Sequence, residues 1–115
     1  MNISEVVKKF SVMSGLLGES VHPWINICED SILEIRSRLR ENVSEEDNKE
    51  KLNSAAAALS FYKYVLCAST KNDIDPENQY ISNPYTKNLA LSMWKEYQDG
   101  ISSLLKDNNF VFKIV

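Results

Sequence analysis

Glycine and proline are scarce in this chain, with three of each in 115 residues. So few turn formers disfavour an all-β architecture and favour long regular elements. Histidine occurs once, as His22 beside Pro23, with no Ser, Cys and carboxylate set at an informative spacing. Phosphate-binding glycine loops, Cys-x-x-Cys and His-Glu-x-x-His are missing as well. The expectation is a protein with no catalytic centre, no metal and no cofactor. The two cysteines, Cys28 and Cys67, both fall within apolar helical faces and are expected as buried free thiols. The opening decapeptide MNISEVVKKF has acidic and polar residues where a signal peptide needs an apolar run, so a cytoplasmic location is expected. A net charge of −3 speaks against nonspecific nucleic-acid binding.

What the chain does have is one dense apolar stretch, Asn53 to Ser69, reading NSAAAALSFYKYVLCAS. Alanine is the best helix former because it has no side-chain entropy to lose. Leu52, Ala55, Ala56, Leu59, Tyr62 and Leu66 recur at three- and four-residue steps and share one helical face. Ala58, Phe61, Val65 and Ala68 line a second face. A helix apolar on most sides needs neighbours all round it. Asn53, Ser54, Ser60, Lys63 and the tyrosines argue against a membrane span. The stretch reads as the third and central helix of a small, mainly α, four-helix bundle. At 115 residues the chain fits one domain, with the bundle over 1–106 and a tail over 107–115.

The other helices follow from their stripes. Ser4 is placed to cap a first helix buried through Ile3, Val6, Val7, Phe10 and Met13, closed by Gly15 and Gly18. A second helix starts near Ser20, tolerates Pro23 in its first turn, and buries Trp24, Cys28, Ile32, Ile35 and Leu39. Glu34 and Arg38 are spaced to pair on its exposed side. Arg36, Arg38 and Arg40 point in different directions between Glu34 and Glu41, which describes a solvated face and not a phosphate clamp. The third helix is expected to open at Ser44-Glu45-Glu46-Asp47, with Ser44 as its cap. Three acids in one turn suit a helix N-terminus better than a metal. Asn83-Pro84 opens a fourth helix through Leu89, Ala90, Met93, Trp94, Tyr97, Ile101, Leu104 and Leu105, with a kink or close contact at Gly100.

Two segments remain. Residues 71–85, KNDIDPENQYISNPY, form the one long irregular stretch, expected to be a mobile loop in the free protomer. Its Asp73, Asp75 and Glu77 imitate the start of a calcium loop. The sixth position is Asn78 where glycine is required, and the twelfth is Pro84 where a bidentate Glu belongs, so no metal is assigned. Tyr80, Ile81 and Tyr85 can bury against a partner or lie back on the domain. The tail FVFKIV reads as a strand, with Phe110, Phe112 and Ile114 on one side and Val111, Lys113 and Val115 on the other. It either adds to a partner's sheet edge or packs across its own helices.

Three stretches carry a family resemblance: WINICEDSILEIRSRL, NKEKLNSAAAALSFYKYVL and LALSMWKEYQDGISSLLKDNNFVFKIV. Together the chain resembles the small helical head–tail connector (adaptor) proteins of tailed bacteriophages and prophages. The stretch 71–85 departs from that pattern in carrying no clear β-hairpin. The resemblance implies a structural subunit of a virion neck, assembled in the host cytoplasm. Its copies would form a ring, commonly of twelve, between the portal and the next neck or tail protein. DNA would pass through the ring without sequence-specific binding, and no membrane is involved. The partner interface would comprise Phe110, Val111, Phe112, Ile114 and Val115 of the tail with Tyr80, Ile81 and Tyr85. A cytosolic helical regulator acting as a dimer is the alternative.

Overall fold

A computed structural model describes residues 1–71 and 84–106. Within them stand four α-helices: α1 (Ile3–Ser14), α2 (Ile25–Arg38), α3 (Lys49–Lys71) and α4 (Pro84–Gly100). They form a small helical bundle, as the stripes predict. Most of the irregular segment, with Tyr80 and Ile81, and the whole strand 110–115, with Phe110, Val111, Phe112, Ile114 and Val115, lie outside the described residues.

The centre is α3. Ala55, Ala56, Ala57, Ala58 and Leu59 are all 0% exposed, and Ser60, Phe61, Tyr64, Val65 and Leu66 are buried after them. Successive residues on a helix point about 100° apart, so this run has cover on every side. Its cover comes from α1, α2 and α4, each of which contacts α3. Alanines let the helix axes come close, and farther along Tyr64 fills the wider gap. Its ring meets Phe10 edge-on at 5.8 Å and Trp24 at 4.6 Å.

Contacts along α3 give the directions of its neighbours. The Asn2 backbone N–H donates to Asn53 Oδ1 at 3.2 Å and Phe10 lies on Tyr64, so α1 runs parallel to α3. Trp24 meets Tyr64 while the far end of α2 reaches Glu45, so α2 is antiparallel. Tyr97 and Ile101 share a groove with Ser54, which makes α4 antiparallel too. The C-terminal ends of α2 and α4 therefore sit together. There Leu39 and Leu105 form an isolated antiparallel bridge, with Arg40 N–H to Leu104 O at 2.9 Å and Lys106 N–H to Arg38 O at 2.8 Å.

Several boundaries differ from the sequence reading. Asn2, not Ser4, caps α1, its side chain accepting from Glu5 N–H at 3.2 Å, and Ile3 is 38% exposed instead of buried. Gly15 closes α1 in the left-handed region at φ 76°, its N–H reaching Ser11 O. Residues Gly18–Trp24 then wind as a 3-10 helix, and α2 begins only at Ile25. The Pro23 ring crowds the carbonyl four residues back, so α geometry starts after it. Ser44 does accept from Asp47 N–H at 3.2 Å, but it caps a turn and not the helix. The Asn48 amide bonds Ser44 O at 2.9 Å, and that local bond competes with helix geometry until Lys49. Gly100 ends α4 where a kink was expected, and Ser102–Leu104 continue as a 3-10 turn. Ile101 N–H shares its hydrogen between Tyr97 O and Gln98 O, each at 3.2 Å, which tightens the chain out of α geometry. No helix among the described residues is long and apolar enough to cross a membrane.

Candidate interaction surfaces

At the end of the bundle where α2 finishes, charge closes the structure. The Glu45 carboxylate accepts from Arg36 Nε at 2.8 Å and Arg36 Nη2 at 3.0 Å, and it pairs with the Met1 ammonium. Arg36 also donates to the Met1 carbonyl at 3.4 Å. One glutamate thus ties α1, α2 and the turn before α3 together. The Arg36 hydrogen bonds hold the Glu45 carboxyl down to about 2, helped by the ammonium and opposed by partial burial. The same pairing raises the Arg36 guanidinium further.

A polar pocket of about 500 Å³ lies beside this network, lined by Glu5, Glu45, Glu46 and Glu50 among others. Its acids are largely answered within the chain. Besides Glu45, Glu46 pairs with Lys49 at 3.5 Å and Glu50 with Lys9 at 3.6 Å. Among the described residues no group of three or more His, Cys, Asp or Glu is placed to hold a metal ion. A groove of about 390 Å³ between α3 and α4 has Ile101 and Tyr97 in its lining and Glu50, Lys51 and Glu96 with them.

Reactive groups are placed quietly. His22 is exposed in the 3-10 segment. Cys28 is fully buried and free, and burial pushes its thiol up against the opposing hydrogen bond with Ser60. A thiol kept protonated is a poor nucleophile. Cys67 is free and half-buried, so only one of the two expected buried thiols is fully so. Glu34 does not pair with Arg38 as the spacing suggested. It takes Lys63 of α3 at 2.8 Å, across the α2–α3 contact.

The surfaces left for a partner are apolar and lie on the outer helices. Tyr85, the one expected interface residue within the described set, stands 72% exposed in the first turn of α4. Leu89, one turn on, is 41% exposed and extends the same face, although the stripe had assigned it to the core. The true inward stripe of α4 is Thr86, Ala90, Trp94 and Ile101. Leu33 of α2 is 60% exposed. Val12 and Leu17 are exposed at the C-terminal end of α1, the same end of the bundle as Tyr85. Leu33 was missed in the sequence, yet its signal was there. It falls off the Cys28, Ile32, Ile35, Leu39 stripe and between charged residues. No protein-family model matches this chain, and no curated protein or solved structure matches it.

Proposed function

We propose that this chain is a non-catalytic assembly subunit, working as a head–tail adaptor of the tailed-phage kind. Copies associate into a ring below the portal, extend the DNA channel, and present a platform to the next neck or tail protein. One observation supports this above others. α3 buries its alanine run on every side, while Leu33, Tyr85 and Leu89 stand exposed on the outer helices and give a partner chain apolar side chains to cover. The acidic balance of the chain suits a lumen through which DNA slides without being gripped. A dimeric regulator is the second reading, favoured by the acid-to-base reversal of charge about Leu33 on α2.

Electron microscopy of the protein mixed with a candidate portal tests the proposal. A ring of copies seated on the portal is the expected image. Portal particles that stay bare at saturating protein, with the protein itself folded, would refute the adaptor role. Removing Val111 to Val115 then asks whether the tail docks. A truncated chain that still binds portal normally would take the tail out of the interface.

A further inference from the structure

α2 carries a ridge whose charge changes sign about one residue. Its inward side is Cys28, Ser31, Ile32 and Ile35. Asn26, Glu29, Asp30, Leu33, Arg36 and Ser37 are all exposed on the other side. Residues three and four apart on a helix are neighbours, so Leu33 has Glu29 and Asp30 one turn before it and Arg36 one turn after it. Glu29 and Asp30 make no ion pair among the described residues. Arg36 is held by Glu45, yet 44% of its side chain remains exposed. The exposed part of its guanidinium-bearing side chain is the cation at the C-terminal end of the ridge.

We infer that this ridge is a self-complementary contact, on which a second copy of the chain lays its own α2 antiparallel across Leu33. Leu33 meets Leu33 at the two-fold axis, and Asp30 of each copy faces Arg36 of the other. Asp30 stands three residues before Leu33 and Arg36 three after, so reversing the ridge exchanges acid for base. A parallel second copy would set acid against acid and base against base. Antiparallel helices also oppose their dipoles favourably. The outer face of α4 lacks this property. Tyr85 and Leu89 occupy its first half and Glu96 and Asp99 its second, so reversal would put carboxylates on apolar side chains.

An isologous contact closes at two copies and leaves the outer face of α4 outside it. The inference therefore does not depend on the adaptor reading. α2 has 14 residues, about 21 Å of helix. A single crossing of that length buries less than the roughly 1,200 Å² of a standard interface, so the pairing is weak and cross-linking suits it better than sizing.

The test uses the full chain with Cys67→Ser, leaving buried Cys28 in place. Leu33→Cys is oxidised at micromolar protein and read on a non-reducing gel, with Val12→Cys, at a more exposed position, as the collision control. A covalent dimer forming at least tenfold faster for Leu33→Cys than for Val12→Cys is expected. Adding Asp30→Arg should slow it about tenfold, and adding Arg36→Asp as well should restore it, with circular dichroism confirming the fold of each variant. Equal rates for the two cysteine positions, or indifference to Asp30→Arg, would overturn the inference. So would a Leu33→Cys, Leu89→Cys double variant that forms a ladder beyond dimer while Leu33→Cys alone forms none, since that requires a heterologous contact.

Discussion

Replacing Glu45 with Gln removes one charge and nearly nothing else, so it isolates the network that closes the charged end. The Glu45 carboxyl sits at about 2 in the folded chain against 4.5 for the free group. At about 1.36 kcal/mol per unit, the full shift corresponds to roughly 3 kcal/mol of stability. Glu45 is 30% exposed, and water screens part of that, leaving about 1–2 kcal/mol. For 115 residues at about 2.1 cal/mol/K each, 1 kcal/mol moves the midpoint by about 4 °C. Glu45→Gln should therefore melt about 4–8 °C below the parent at pH 7. The sign of the pH dependence follows from the lowered value. The stabilisation is complete above the unfolded carboxyl value of 4.5 and is lost as pH falls through about 2. Thermal melts by circular dichroism from pH 7 to pH 2 should show the two midpoints converging below pH 4.5. A gap that stays constant down to pH 2, or no gap at pH 7, would refute the electrostatic account.

Three further substitutions probe the packing. Ala56 is 0% exposed on a helix with no open side, so Ala56→Leu should cost about 1–3 kcal/mol by overpacking, and a melt matching the parent would show that this face has room. Ser31 Oγ is buried without a hydrogen-bond partner among the described residues, so Ser31→Ala should raise stability by up to about 1 kcal/mol; a lower denaturant midpoint would mean that the hydroxyl is satisfied after all. Gly15 stands at φ 76° with open space where a Cβ would go, so Gly15→Ala should cost about 1 kcal/mol from backbone strain alone, and an unchanged midpoint would show that the turn can re-form differently.

The central helix was the most legible part of the sequence, because apolar residues on every face admit only a buried position. The stripe Cys28, Ile32, Ile35, Leu39 was legible for the same reason of period. Boundaries were less so, since Ser44 and Asn48 satisfy backbone groups locally and delay α3 to Lys49. Pairings across the fold were not legible. The i,i+4 spacing offers Arg38 to Glu34, but the packed bundle offers Lys63 at 2.8 Å, and only tertiary contact decides between them. The Glu45 network was hidden likewise. Its partners Met1 and Arg36 lie 44 and 9 residues away, and three acids in a row at a helix start gave a sufficient local explanation. Of the expected interface, Tyr85 alone falls in the described residues, and its exposure agrees with a partner-facing role without establishing one.

A central helix with no free side constrains where any partner can act. Four consecutive alanines let α1, α2 and α4 approach α3 closely, and every neighbour then presents its inner stripe to the same axis. Along the alanine run a cleft would require one helix to stand off from α3, which close packing of small side chains opposes, and the α3–α4 groove lies before that run, at Glu50, Lys51 and Ser54. Outside that groove, large apolar side chains stand exposed on outward ridges, Leu33 on α2 and Tyr85 with Leu89 on α4. Those two ridges differ in what anchors them. α2 is held at its C-terminal end by the Arg36–Glu45 pair and by the Leu39–Leu105 bridge, and along its length by Glu34–Lys63. A ridge held at so many points loses little conformational entropy when a partner covers it. Weak, symmetric pairing through α2 thus asks for no rearrangement of the fold, and the charge order along the helix sets its direction, with the helix dipoles favouring the same one.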